Sequence, residues 1–123
     1  MKNIDIQSHN KKVGLYVHIP FCNTICTYCD FPKIIANSCK KEEYITHLIE
    51  ELDHYKEKLT NVKTVYIGGG TPNSLNIDLL EHLFIALKPY LDMSQENSIE
   101  INSELFSEEQ ALLFSKYNIN IYI

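Results

Sequence analysis

Short aliphatic stretches and amphipathic helical ones alternate along all 123 residues, in the order strand–helix–strand–helix–strand–helix–strand, and few folds satisfy that order. The strands are expected over residues 13–19, 62–67, 98–102 and 119–123. In the first helical stretch, residues 41–58, Tyr44, Ile45, Leu48, Ile49, Leu52 and Tyr55 recur at three- and four-residue spacing and Leu59 continues the series. Glu42, Glu43, Glu50, Glu51 and Glu57 fall on the other side of that helix. A second helix is expected from Asn76, with Ile77, Leu80, Leu83, Phe84 and Leu87 turned inward and an end near Pro89. Ser107-Glu108-Glu109-Gln110 has the S-x-x-Q form of a capping box and opens a third helix. Strands joined by helices are expected to lie parallel, with right-handed crossovers.

Within the strands, apolar and polar residues alternate, whereas parallel strands covered on both faces read as unbroken aliphatic runs. Leu15, Val17 and Ile19 oppose Gly14, Tyr16 and His18, and Val65 and Ile67 oppose Thr64 and Tyr66. Ile99 and Ile101 oppose Ser98, Glu100 and Asn102, and Ile119, Ile121 and Ile123 oppose Asn118, Asn120 and Tyr122. Helices should therefore cover one face only. The expected architecture is an α/β fold, a partial (β/α) barrel of about four strands and three helices with a polar lumen. Ligands of such folds sit at the carboxyl ends of the strands.

Two motifs land at that end. After the first strand come Cys22, Cys26 and Cys29, spaced C-x3-C-x2-C. Each iron of a 4Fe–4S cube normally takes one Cys thiolate, so three on one loop would leave one iron open to a small molecule. A structural zinc site, with His18 or Cys39 as fourth ligand, is an alternative, although zinc favours short Cys/His pairs. A redox dithiol at Cys26 and Cys29 is another. After the second strand comes Gly68-Gly69-Gly70-Thr71-Pro72. These glycines could let a ligand approach the backbone, or could be plain turn chemistry. Glu100, between two isoleucines, either meets a polar ligand in the lumen or is simply solvated. His18 reads equally as a hydrogen-bonding residue at a strand end, and Cys39 as a free thiol.

With a net charge of −5 and no Lys/Arg block, the chain lacks the basic footprint of a nucleic-acid partner. No apolar run approaches the ~20 residues of a membrane span. Met1 to Lys12 lacks the apolar core of a secretory signal. A cytoplasmic location is expected, where the four cysteines serve as ligands or free thiols rather than disulfides.

Tyr16-Val17-His18-Ile19-Pro20-Phe21-Cys22 with its C-x3-C-x2-C run resembles the opening of radical S-adenosylmethionine (SAM) enzymes. The branch it resembles holds oxygen-independent coproporphyrinogen III oxidases and HemW-type heme chaperones. Val65-Tyr66-Ile67-Gly68-Gly69-Gly70-Thr71-Pro72 and Ser98-Ile99-Glu100-Ile101-Asn102 resemble that family's second- and third-strand motifs. The resemblance implies a 4Fe–4S cluster on Cys22, Cys26 and Cys29, with SAM on the open iron. It places Tyr16 and Tyr28 near cluster and SAM, Gly69, Gly70 and Thr71 at SAM's methionine end, and Glu100 in the same site. It implies an electron donor, and heme or a porphyrinogen as the small-molecule partner of the full-length family. The oxidases carry a fourth cysteine two residues after the third. Here Asp30 and Phe31 follow Cys29, which is the HemW-type pattern.

The chain is also shorter than the family's barrels, so residues 1–123 are expected to be the N-terminal portion of a radical SAM core domain. Ser103 stands where a proline is usual, and residues 118–123 lack the arginine usual on strand four. Two further readings follow: a truncated, inactive product, or a cluster-binding module without SAM chemistry.

Overall fold

The computed structural model describes residues 4–9, 12–21 and 38–123. In it the elements run β1 (Ile4–His9), β2 (Lys12–Ile19), α1 (Ser38–Tyr55), β3 (Val62–Gly69), α2 (Ile77–Met93), β4 (Glu96–Ile99), α3 (Glu108–Lys116) and β5 (Ile121–Tyr122). They form one five-stranded sheet in the order β1-β2-β3-β4-β5. From β2 to β5 the strands are parallel neighbours, as the strand–helix alternation requires, and β1 adds an antiparallel strand at the edge. This mixed α/β sheet with three helices is compatible with a partial (β/α) fold. It holds five strands rather than the expected four, because Ile4 and Ile6 pair with Val17 and Leu15. Ile4 is buried among the core residues.

Paired residues of neighbouring strands share a face, so the register sorts the sheet. Leu15 lies beside Val65 and Val17 beside Ile67, which in turn pairs with Ile99. All five are buried, together with Ile45, Leu48 and Leu52 of α1 and Leu80, Leu83, Phe84, Leu87 and Leu91 of α2. On the opposite face Tyr16 pairs with Tyr66 and Tyr66 with Ser98. These residues are half-buried, so the alternation along the first three expected strands is an alternation of environment.

Helix α2 does not stop at Pro89 but continues to Met93. Pro89 is exposed, and the carbonyl its missing N–H would have bonded belongs to Ile85, also exposed. The interrupted bond therefore faces water, while Leu87 and Leu91 hold the inner side of the helix in the core. Strand β4 begins two residues earlier than expected. Ser94 Oγ and the Gln95 N–H both donate to the Lys63 carbonyl, at 2.9 Å each, and so bring Glu96 directly beside Thr64. Glu100 consequently lies just beyond the end of β4 rather than mid-strand, although its N–H still donates to the Ile67 carbonyl at 2.9 Å.

The last strand inverts its expected alternation. Asn118 adopts φ 62°, the Asn118 N–H donates to the Ser115 carbonyl at 3.2 Å, and the Ile119 N–H donates to the Phe114 carbonyl at 2.9 Å. This is a Schellman ending of α3, in which Ile119 is the buried apolar residue that closes the motif. The strand proper starts afterwards, out of phase. Tyr122 pairs with Ile99 and lies 5.6 Å from the Phe114 ring, on the helix-covered side. Ile121 and Ile123 are 36% and 58% exposed.

The third helix is also tied to the glycine loop. Ser107 Oγ accepts from the Gln110 N–H at 3.1 Å, which is half of a capping box. The Gln110 side chain does not complete it but turns inward, where Nε2 donates to the Asn73 carbonyl at 3.0 Å. Oε1 of Gln110 accepts from Asn73 Nδ2 at 3.2 Å. Asn73 in turn accepts from the Asn102 N–H at 2.8 Å and donates to the Asn102 carbonyl at 3.0 Å. Asn73 and Gln110 are both buried, so removing either leaves partners unsatisfied away from water. Gln110→Ala is expected to destabilise the fold by roughly 1–3 kcal/mol, read as a lowered urea midpoint; no change would mean the network contributes nothing.

Candidate functional site

The carboxyl ends of β2, β3 and β4 deliver Ile19-Pro20-Phe21, Gly68-Gly69-Gly70-Thr71 and Glu100 to one end of the sheet. Two backbone hydrogen bonds join the first two segments. The Gly70 N–H donates to the Ile19 carbonyl at 2.8 Å, and the Thr71 N–H to the Phe21 carbonyl at 2.7 Å. Ser74 Oγ approaches the same Phe21 carbonyl at 3.4 Å. Phe21 is buried edge-on against Tyr44, with centroids 5.1 Å apart, and the Tyr44 hydroxyl donates to the His18 carbonyl. The residue immediately before Cys22 is thus held on three sides. Cys22, Cys26, Tyr28 and Cys29 themselves lie outside the described residues. Cys39, at the start of α1, is an exposed free thiol. Among the described residues, no three His, Cys, Asp or Glu side chains converge as metal ligands would.

Glycine is required here by the approach of the protein's own chain. Gly69 has φ +119°, and a Cβ there would sit 2.7 Å from the Ile19 carbonyl oxygen and 2.9 Å from His18 Nδ1. A Cβ at Gly68 would sit 2.6 Å from Tyr66 Cε1 and 2.7 Å from Glu100 Oε1. The amides of Gly70 and Thr71, read from sequence as groups that a ligand could use, are occupied by the Ile19 and Phe21 carbonyls.

Four side chains converge on the face that no helix covers among the described residues. Tyr16 and Tyr66 stack with centroids 5.8 Å apart and planes 19° from parallel. The Tyr16 hydroxyl meets His18 Nδ1 at 3.1 Å, which is the strand-end hydrogen-bonding role weighed for that histidine. The Tyr66 hydroxyl donates to Glu100 Oε1 at 2.7 Å. Burial pushes the Tyr66 phenol up to about 12, and the hydrogen bond to Glu100 and the charge of that carboxylate act in the same direction. Tyr16 is raised for the same first reason, burial, and then by the charge of Glu100. Each phenol is therefore held neutral and able to donate.

Of the residues singled out from sequence, Tyr16, Gly69, Gly70, Thr71 and Glu100 all lie at the carboxyl end of the sheet or on its polar face. Tyr66 and Asn73 were missed as site residues. The polar phase of the second strand pointed to Tyr66, but its partner Glu100 follows only from the pairing of β3 with β4. No periodic signal marks Asn73. A separate groove between the amino-terminal halves of α1 and α2 is lined by Glu42, Thr46, Asp78 and His82.

Comparison with known proteins identifies the family. The sequence model of the Radical SAM superfamily matches residues 16–123. The chain is 37% identical over 112 residues to "Heme chaperone HemW" of Lactococcus lactis subsp. lactis (strain IL1403), covering 89% of this chain and 29% of that protein. It is 38% identical over 111 residues to the Bacillus subtilis (strain 168) protein of the same name, covering 85% and 29%. A more distant relative, "Oxygen-independent coproporphyrinogen III oxidase" of Pseudomonas aeruginosa, is 30% identical over 109 residues, covering 85% and 24%. The chain thus spans less than a third of the length of these relatives. No solved structure matches at a significant level. With its family pattern running from Tyr16 to the last residue, the chain belongs to the radical SAM superfamily.

Proposed function

We propose that residues 1–123 form the N-terminal portion of a radical SAM core domain of the HemW type. In this reading Cys22, Cys26 and Cys29 hold a 4Fe–4S cluster with one iron left for SAM. The observation that carries it is the pair of bonds from the Gly70 and Thr71 amides to the Ile19 and Phe21 carbonyls. They bring the entrance of the cysteine loop against the glycine loop, beside Glu100, at the end of the sheet where ligands of such folds bind.

The residues present fit the group. SAM carries positive charge on its sulfonium and ammonium, and the polar face offers it the Glu100 carboxylate. Three thiolates on one loop suit iron better than a four-ligand zinc site. When bound, the cluster supplies the electron that reductively cleaves the sulfonium carbon–sulfur bond. The chain's own part is to hold and orient. Cys22, Cys26 and Cys29 would bind iron, Tyr28 and Tyr16 would flank the site, and Gly69, Gly70 and Thr71 would form its floor. Among the described residues no helix is long and apolar enough to cross a membrane, and we place this chemistry in the cytoplasm.

Heme delivery rather than porphyrinogen oxidation is the favoured role. Cys29-Asp30-Phe31 lacks the oxidases' additional cysteine, and the Lactococcus lactis and Bacillus subtilis relatives, at 37% and 38% identity, bear the name heme chaperone. Heme, an electron donor and turnover belong to this proposal for the whole protein.

Anaerobic reconstitution with iron and sulfide is expected to give about four irons per chain, lost on Cys26→Ala. The EPR spectrum of the reduced cluster should change when SAM is added. A cluster blind to SAM would instead identify a cluster-binding module. Stoichiometric zinc with no acid-labile sulfide would overturn the cluster assignment altogether.

A further inference from the structure

We propose that Tyr66 is a positioning residue for the SAM site: its hydroxyl fixes the Glu100 side chain across Gly68, so that the second carboxylate oxygen is presented to a hydrogen-bond donor of the bound sulfonium nucleoside. The inference rests on the SAM reading above and adds to it a residue that acts only through Glu100.

Glu100 follows the last residue of β4, where its backbone is fastened to the Ile67 carbonyl at 2.9 Å. A glutamate there has three side-chain torsions and a solvent-facing sheet, so without a partner it would sample many rotamers. Two features remove that freedom. Gly68 has no side chain, and the carboxylate occupies the place one would take, with Oε1 2.7 Å and Cδ 3.0 Å from the position of a Cβ. Tyr66, two residues earlier on the same face of β3, donates to Oε1 at 2.7 Å. Among the described residues that is the only hydrogen bond the carboxylate receives, so Oε2 keeps its accepting capacity. The Tyr66 ring is itself braced by the stacked Tyr16, and the Tyr16 hydroxyl is held by His18 Nδ1. The order of support runs from His18 through Tyr16 and Tyr66 to Glu100, at the strand ends where the ligand binds.

Tyr66→Phe keeps the ring and its stack and removes only the hydroxyl. In cofactor-free protein it is expected to lower the urea midpoint at neutral pH by the loss of one hydrogen bond and to alter the alkaline response. The folded Tyr66 phenol is raised above its unfolded value near 10, so the stability it contributes is complete below pH 10 and is lost as pH rises through about 12. Tyr16 and Glu100 face it throughout, and Tyr16 titrates upward as well, so part of the alkaline loss remains in the variant. The fall in midpoint between pH 10 and 12 should be shallower in Tyr66→Phe than in wild type; equal slopes would overturn the pairing.

In reconstituted protein, equilibrium dialysis against labelled SAM should show about tenfold weaker binding for Tyr66→Phe, or ~1.4 kcal/mol. Glu100→Ala should weaken binding at least as much, and adding Tyr66→Phe to Glu100→Ala should cause no further loss, because nothing remains to be aimed. Losses that add, or wild-type affinity in Tyr66→Phe beside a weakened Glu100→Ala, would overturn the role of Tyr66 and leave the SAM reading standing. A reconstituted wild type without SAM affinity would overturn that reading, and this inference with it.

Discussion

The backbone crossing at Gly69 governs the geometry of the whole carboxyl end of the sheet. Its left-handed φ turns the chain so that the next two amides reach the Ile19 and Phe21 carbonyls, which extends the β2–β3 ladder past the end of both strands. Most L-residues would pay about 1–2 kcal/mol for that backbone conformation alone. A Cβ would in addition collide with the Ile19 carbonyl at 2.7 Å, and a carbonyl in a paired strand cannot move aside as a flexible side chain can. The segment after β2 inherits its position from that crossing. Phe21 is anchored by it, Cys22 follows Phe21, and Ser74 reaches back to the same carbonyl.

A second constraint connects the glycine loop to the far side of the site. Asn73 is one residue beyond Pro72 and is buried, yet nearly all of its polar capacity is directed at Asn102 and Gln110. Asn102 lies two residues after Glu100, so the Glu100 backbone is held by its N–H bond to the Ile67 carbonyl and by this clamp downstream, and its carboxylate by Tyr66. Buried amide networks stabilise only when every member is satisfied, and the burial of Gln110 is what closes this one. The face that no helix covers among the described residues is therefore polar by composition but ordered by hydrogen bonds at its working end.

Much of this was legible from period and punctuation. The order of strands and helices followed from apolar spacing, and the rule that ligands gather at carboxyl strand ends pointed to the end of the sheet where the glycine loop meets Ile19 and Phe21, whereas Glu100 was expected mid-strand. What escaped was non-local or depended on a competing local motif. Ile4 and Ile6 make a strand only because β2 offers them an edge, a fact that no short window contains. Gln110 satisfied the capping-box pattern, yet Asn73, 37 residues away, supplied better partners for its amide in the interior. Pro89 punctuates a helix only where its lost bond matters, and on the wet side it did not. Ile119 matched a strand period but belongs to a helix ending, because Asn118 tolerates the left-handed region as few non-glycine residues do.

That last shift also locates the chemistry within the sheet. With the phase of the final strand inverted, β5 places Ile121, not a polar group, beside Ser98 on the face that leads to Glu100. The strand is two residues long, and a very short edge strand offers little template for unwanted pairing despite its aliphatic side chains. Its aromatic residue, Tyr122, is spent on the Phe106–Phe114 cluster under α3. The polar convergence is consequently confined to β2, β3 and the end of β4, where Tyr16, His18, Tyr66 and Glu100 support one another. Because β2 and β3 also lead into Phe21 and the glycine loop, these polar side chains and the backbone crossing beside them are assembled from the same three neighbouring strands. The fourth parallel strand completes the cover of the core, and contributes no hydrogen-bonding side chain to that cluster.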